Sequence, residues 1–285
     1  MAISKKIAAD MEKSSWIRKM FETGAVLKRE YGPENVYDFS LGNPNVAPPD
    51  SFFTALKKTA DDNPEGIHGY MSNAGLPETR RTVAAYAAEE LHADLEAEHI
   101  ILSCGAGGGM NVVLKTLLNP GDEVIVSTPF FMEYNFYADN HGGSIKAVPG
   151  RENFDLDPGT IADAVTPKTA AVIINSPNNP SGAVYGESLI HELGEILRKK
   201  SFETGRTIYL ISDEPYRKIV FDGIQVPSIM EAYSNSIIVT SYSKDISIPG
   251  ERIGYIAVHP EAQDCRNIID GAVLCTRILG FVTAT

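Results

Sequence analysis

SIIVTSYSKDISIPGERIGYIAV, residues 236–258, holds the pattern that sets the fold class. It contains two apolar runs, Ser236–Thr240 and Ile253–Val258, each short, rich in β-branched residues and consistent with a buried strand. Between them lie Lys244, three serines, Pro249 and Gly250, and Arg252. A loop at the end of a parallel strand is where α/β proteins place their chemistry. Lys244 is the candidate reactive group. A protonated amine is a poor nucleophile, and a pocket or a nearby cation makes it a good one by lowering its pKa. Arg252 is either that cation or the holder of an anion. A lysine in a loop is ordinarily a solvated surface charge, so the standing of Lys244 depends on the rest of the chain.

Working outward, the same pattern of apolar run followed by polar loop recurs. Thr207–Ser212 reads as a strand and ends at Asp213-Glu-Pro-Tyr216. A carboxylate there has little solvent and needs a partner, either as a helix N-cap or against a cationic ring nitrogen. Ala170–Asn175 reads as a strand that runs into Ser176–Gly182 (SPNNPSG), a turn-forming segment. Glu123–Ser127 is followed by Thr128–Tyr134 (TPFFMEY), whose aromatics either fill the core or lie flat on a planar ligand. His99–Ser103 runs into Cys104–Asn111 (CGAGGGMN), and Met110, Val113, Leu114, Leu117 and Leu118 keep a helical period behind it. This succession of strand, glycine loop and helix allows either close helix–strand packing or an anion cradle of free N–H groups. It matches neither the P-loop nor the GxGxxG pattern. Short strands are also expected at Val36–Leu41 and Ile145–Val148. Helices are expected within Ile3–Tyr31, Phe52–Ala60, Pro77–Leu91, Asp157–Val165, Glu187–Lys199 and most of Pro260–Thr285. The rhythm predicts an α/β fold: a three-layer α/β/α arrangement with a mostly parallel sheet, its polar loops gathered along one edge.

Composition narrows the partners. A chain of 285 residues with 43% hydrophobic and 22% charged residues can bury a sizeable core. A net charge of −12 argues against nucleic acid as a partner, because phosphate backbones require a positive field. Cys104, Cys265 and Cys275 lack metal-binding spacing and read as reduced thiols, and no metal site is expected. The first residues carry no apolar leader core and no run reaches membrane-spanning length, so a cytoplasmic location without membrane contact is expected.

Taken together, the loops offer a phosphate cradle, a stacking aromatic, a carboxylate and a lysine, which is the set a pyridoxal 5′-phosphate site requires. Here the chain resembles the class I/II aminotransferases, fold-type I pyridoxal-phosphate enzymes. SYSKDISIPGERIGY (241–255) is similar to the family's lysine signature. NSPNNPSG (175–182) and SDEPYRK (212–218) are similar to its asparagine and aspartate–tyrosine motifs, in the family's order. SLGNPN (40–45), HGY (68–70) and CGAGGGMN (104–111) match weaker ones. The resemblance covers the chain from about Val36 onward and implies a seven-stranded, mostly parallel sheet plus a small domain built from both chain ends. It assigns residues 1–45 to an N-terminal arm and part of the small domain, and 46–285 to the large cofactor-binding domain.

The same resemblance implies the roles. Lys244 would hold the cofactor's aldehyde as an internal aldimine and later move the substrate's proton. Asp213 would pair with the pyridinium nitrogen. Asn179 and Tyr216 would bond the ring hydroxylate, and Phe131 would stack on the ring. Ala106, Gly107, Ser241 and Arg252 would bind the phosphate, so that Arg252 reads as an anion clamp and not as the cation acting on Lys244. Gly42 and Asn179 would lie beside the substrate. Tyr70 would reach the phosphate of a neighbouring subunit, which implies a homodimer with shared sites.

Two departures from the family pattern stand out. The run Gly105-Ala-Gly-Gly-Gly109 removes a side-chain contact that a bulkier polar residue supplies in other members. The chain also stops roughly 100 residues early, a normal domain size. The C-terminal small-domain segment and its carboxylate-binding arginine are therefore missing, and a fragment of a longer enzyme is expected. The expected reaction is amino transfer between an amino acid and a 2-oxo acid. A C–S β-lyase and a non-catalytic cofactor-binding regulatory module are the alternatives.

Overall fold

The computed structural model describes residues 2–13, 15–39, 42–63, 65 and 68–280. The chain divides into two units, Met1–Val46 and Ala47–Thr285.

In the first unit the helical character of Ile3–Tyr31 resolves into α1, Lys5–Lys13, and α2, Ser15–Tyr31. Gly32, with φ 84°, ends the second helix and leads into a single 3-10 turn at Pro33–Asn35. Lys28 and Asp38 form an ion pair at 2.7 Å. Residues 36–39 of the expected Val36–Leu41 strand are not a strand, and residues 40–41 lie outside the described residues. The physical reason is that no partner strand lies beside them among the described residues. Tyr37 and Phe39 are 84% and 92% exposed, and an extended segment with no neighbouring ladder has nowhere to place its backbone hydrogen bonds.

The second unit begins with α3, Asp50–Asp62, and α4, Pro77–Leu91. Then come β1, Ile100–Cys104, α5, Gly105–Leu117, β2, Glu123–Thr128, α6, Glu133–Asp139, and β3, Ser144–Pro149. After α7, Pro158–Ala164, and β4, Thr169–Asn175, the chain forms α8, Glu187–Thr204, and β5, Tyr209–Asp213. It closes with α9, Ile229–Ala232, β6, Ser236–Ser241, β7, Ile253–Val258, and α10, Cys265–Ile278. The sheet has seven strands in the order β1-β7-β6-β5-β4-β2-β3. Pairings among β2 to β6 are parallel, and β7 runs antiparallel between β6 and β1.

The strands read as unbroken apolar runs because both faces of the sheet are covered. Alternate residues Ile100, Val172, Leu210 and Ile238 pack under α4, α7, α8 and α9. Their neighbours Ile101, Ile173, Ile211 and Val239 pack under α5, α6 and α10. This is the expected three-layer α/β/α architecture.

The register fixes the site. Asn175 aligns with Asp213, Asp213 with Val239, Ser241 with Gly254, and Cys104 with Ile253. The carboxyl ends of β1, β4, β5 and β6 therefore share one edge with the amino end of β7. Gly254 can sit between its neighbours only as glycine, because an added Cβ would collide with the Thr240 carbonyl and the Gly105 backbone. One expectation is corrected locally. The glycine run is not a loop ahead of a helix; α5 starts at Gly105, directly after β1.

Candidate active site

Lys244 lies in the turn that follows β6, with its ammonium 5.9 Å from the centre of the Tyr216 ring. Burial lowers its pKa, and the Arg252 guanidinium lowers it further. The Arg252 guanidinium thus bears on Lys244 as a cation, beside the anion-clamp role that the resemblance implies for it. The antiparallel return of β7 beside β6 brings position 252 back to the edge that carries position 244.

Arg252 follows a 3-10 turn at Pro249–Glu251 in a left-handed conformation, φ 55°, and donates from Nη1 to the Pro249 carbonyl at 2.9 Å. Its Nη2 stands 2.9 Å from the place a Cβ on Gly105 would occupy. Gly105 is itself left-handed, φ 66°. Ala106 and Gly107 follow in the first turn of α5, where backbone N–H groups lack intrahelical acceptors. Glycines thus bring a cationic side chain and the positive end of a helix together, the arrangement that holds an anion. Ser241, buried at the end of β6, donates from its hydroxyl to Ser243 Oγ at 3.1 Å.

Asp213 ends β5 and is buried. Its Oδ2 accepts from the Tyr134 hydroxyl at 2.7 Å, while Oδ1 has no partner among the described residues. Burial pushes its pKa up to about 6; the Tyr134 bond opposes the rise and the neighbouring Glu214 adds to it. It is therefore not a helix N-cap but a carboxylate held by one oxygen, with the other awaiting a cation or donor. Tyr216 hydrogen-bonds Asn179, and burial together with the Asp213 charge raises its pKa. Phe131 is half-buried against Tyr134, with ring centres 5.6 Å apart and nearly perpendicular planes.

Lys244, Asp213, Tyr216, Asn179, Arg252, Ala106 and Gly107 therefore gather along one sheet edge, with Ser241 ending β6 and Phe131 packed on Tyr134. Tyr70 is fully exposed in the same unit. Gly42 belongs to the first unit. Among the described residues no group of His, Cys, Asp and Glu side chains is arranged to hold a metal ion.

Sequence reasoning missed the residues that support this edge. Tyr134 holds Asp213, although it stood in plain view within the aromatic cluster. Asn175 donates from Nδ2 to the Asp213 carbonyl at 2.6 Å and accepts from the Asn179 N–H at 2.5 Å, tying two site segments together. Arg217 pins the turn that carries Tyr216. It reaches Glu214 Oε2 at 3.0 Å, Glu90 Oε1 at 3.3 Å, and the Val226 and Pro227 carbonyls at 2.8 and 3.2 Å. The signal for these was chemical: a strand-end carboxylate demands a donor, and a buried Glu214 demands a cation.

Comparison with known proteins places these features in context. Residues 34–285 match the sequence profile described as aminotransferase class I and II. An aspartate aminotransferase from Pyrococcus horikoshii is 32% identical over 247 residues, covering 86% of this chain and 59% of that protein. The crystal structure of an amino transferase from Eubacterium rectale superposes with a TM-score of 0.94 at 37% identity, covering 100% of this chain and 72% of that one. Aspartate aminotransferase from Thermus thermophilus, solved with maleate, gives a TM-score of 0.80 at 25% identity over 94% of this chain and 66% of its own. The chain spans about three fifths of the length of the curated relatives it matches, 60% and 59% for the first two.

Proposed function

The chain belongs to the class I and II aminotransferase family, and from that premise we propose that it transfers an amino group between an amino acid and a 2-oxo acid. The family depends on pyridoxal phosphate. The observation that carries the reading is Asp213 Oδ1, a buried carboxylate oxygen without a partner among the described residues, at the edge where Lys244 and the α5 cradle converge. A protonated ring nitrogen is the partner that oxygen lacks, and a phosphate suits Arg252 with the first turn of α5. Bound pyridoxal phosphate supplies the electron sink that stabilises the carbanion formed when a substrate loses its Cα proton.

The protein's own residues do the rest. Lys244 would hold the cofactor covalently through Nζ. Burial and Arg252 favour its neutral amine, the form able to attack a carbonyl and to take and return a proton. Asp213, steadied by Tyr134, would stabilise positive charge on the ring. Tyr216 and Asn179 would bond the ring oxygen, and Phe131 would cover one ring face. Ala106, Gly107, Ser241 and Arg252 would hold the phosphate, with Asn179 beside the substrate.

Residues 1–45 are proposed as an arm with part of a small domain and 46–285 as the large domain; the division into Met1–Val46 and Ala47–Thr285 supports this. A homodimer with shared sites belongs to the same reading, supported by the full exposure of Tyr70. A cytoplasmic location is proposed as well. Among the described residues no helix is long and apolar enough to cross a membrane.

The test supplies pyridoxal phosphate and a series of amino donors, starting with L-aspartate because of the relatives' names, and follows 2-oxo acid release. Amino transfer to 2-oxoglutarate is the expected result. Release of pyruvate and ammonia from cystathionine without amino transfer would mark a C–S β-lyase instead, and failure to bind pyridoxal phosphate would refute the reading.

A further inference from the structure

Gly107 stands in the first turn of α5, and its backbone is not left-handed, so its conformation alone does not require glycine. What forbids a side chain is a neighbour. A Cβ at position 107 would stand 3.0 Å from the Tyr137 hydroxyl oxygen and 3.8 Å from the ring carbon that bears it. The phenol oxygen therefore fills the space that a side chain at 107 would enter.

Tyr137 is brought there by α6. Residues 134 and 137 are one helical turn apart and share a face; their ring centres lie 6.5 Å apart. Tyr134 turns its hydroxyl to Asp213, and Tyr137 turns its own to Gly107. Among the described residues the Tyr137 hydroxyl has no hydrogen-bond partner. It feels the charge of Arg252, the side chain that flanks Gly105 in the same cradle, and those of the Glu133 and Asp213 carboxylates. Asp213 Oδ1, buried and also without a partner among the described residues, marks the same edge as built for a ligand.

We propose that the Tyr137 hydroxyl donates a hydrogen bond to the anion held by the first turn of α5 and Arg252. That anion is the cofactor's phosphate, so the inference rests on the cofactor reading above. The phenol occupies the space a side chain at position 107 would enter, so the glycine run gains a side-chain donor from α6. Burial pushes the Tyr137 pKa up to about 12, so the proton needed for donation is present throughout the physiological range.

Equilibrium binding of two probes to the full chain tests this: pyridoxal 5′-phosphate, and pyridoxal, which lacks the phosphate. Tyr137→Phe keeps the ring and its packing. It should weaken pyridoxal phosphate roughly ten- to a hundredfold, the value of a hydrogen bond to a charged group, and leave pyridoxal unchanged. Gly107→Ser should weaken pyridoxal phosphate binding in the wild-type background, where the phenol oxygen crowds it. In the Tyr137→Phe background the new side chain has room, and its hydroxyl should restore affinity. Equal weakening of both probes by Tyr137→Phe, no weakening of either, or the same effect of Gly107→Ser in both backgrounds would overturn the inference. A wild-type chain that binds no pyridoxal phosphate would overturn the cofactor reading itself.

Discussion

Replacing Asp213 by Asn should change how the stability of the cofactor-free protein depends on pH. The side chain is buried, accepts one hydrogen bond from Tyr134, and has a pKa pushed from 3.8 to about 6. For an acid whose pKa is raised on folding, the folded chain binds more protons than the unfolded chain between those two values. Stability therefore falls as pH rises from about 4 to about 6 and is level above that. At about 1.4 kcal/mol per pH unit, the shift from 3.8 to about 6 amounts to about 3 kcal/mol. Urea unfolding of wild type and Asp213→Asn across pH 4 to 8 isolates this contribution, because every other group is common to both. Over that range, which begins with the unfolded carboxyl already partly ionised, the wild type should lose about 2 kcal/mol more than the variant. With pyridoxal phosphate bound, the ring cation favours the ionised carboxylate and the extra loss should vanish. Parallel stability curves for the two apoproteins would refute the claim that burial without a second partner strains Asp213.

Other substitutions address the frame around the site. Arg217→Ala leaves Glu214 buried without its cation, which costs roughly 3–5 kcal/mol of stability by urea unfolding. The same change frees the turn bearing Tyr216 and should weaken cofactor binding as well. Gly254→Ala places a methyl group against the Thr240 carbonyl and the Gly105 backbone, neither of which can rotate away. It should destabilise by about 3 kcal/mol, the upper range for overpacking, with thermal melts as the readout.

Much of the fold was legible because buried parallel strands announce themselves as short unbroken apolar runs. Thr169–Asn175, Tyr209–Asp213, Ser236–Ser241 and Ile253–Val258 lie within a residue or two of where those runs place them. Asp213 at the end of β5 drew notice for the same reason, because a carboxylate closing an apolar strand is costly without a partner; Lys244, in the turn after β6, stood out only through the motif around it. What stayed hidden depends on spatial neighbours. Val36–Leu41 has strand-like composition, yet residues 36–39 find no partner strand among the described residues. The glycine run reads as a loop by propensity, but tertiary packing makes it the start of α5: a Cβ on Gly109 would meet Val239 Cγ1 at 2.7 Å, so only a bare helix fits so close to β6. The hydroxyls of Tyr134 and Tyr137 cannot be distinguished from core aromatics until α6 is in place. The effect of Arg252 on Lys244 appears only once β7 is known to return antiparallel.

Covalent attachment of the cofactor at Lys244 is tested by loading the chain with pyridoxal 5′-phosphate, reducing with borohydride and mapping the peptides by mass spectrometry. A phosphopyridoxyl group on Lys244 at near-stoichiometric yield, lost in Lys244→Ala, is the expected result. A label spread over surface lysines, or retained undiminished in Lys244→Ala, would contradict it.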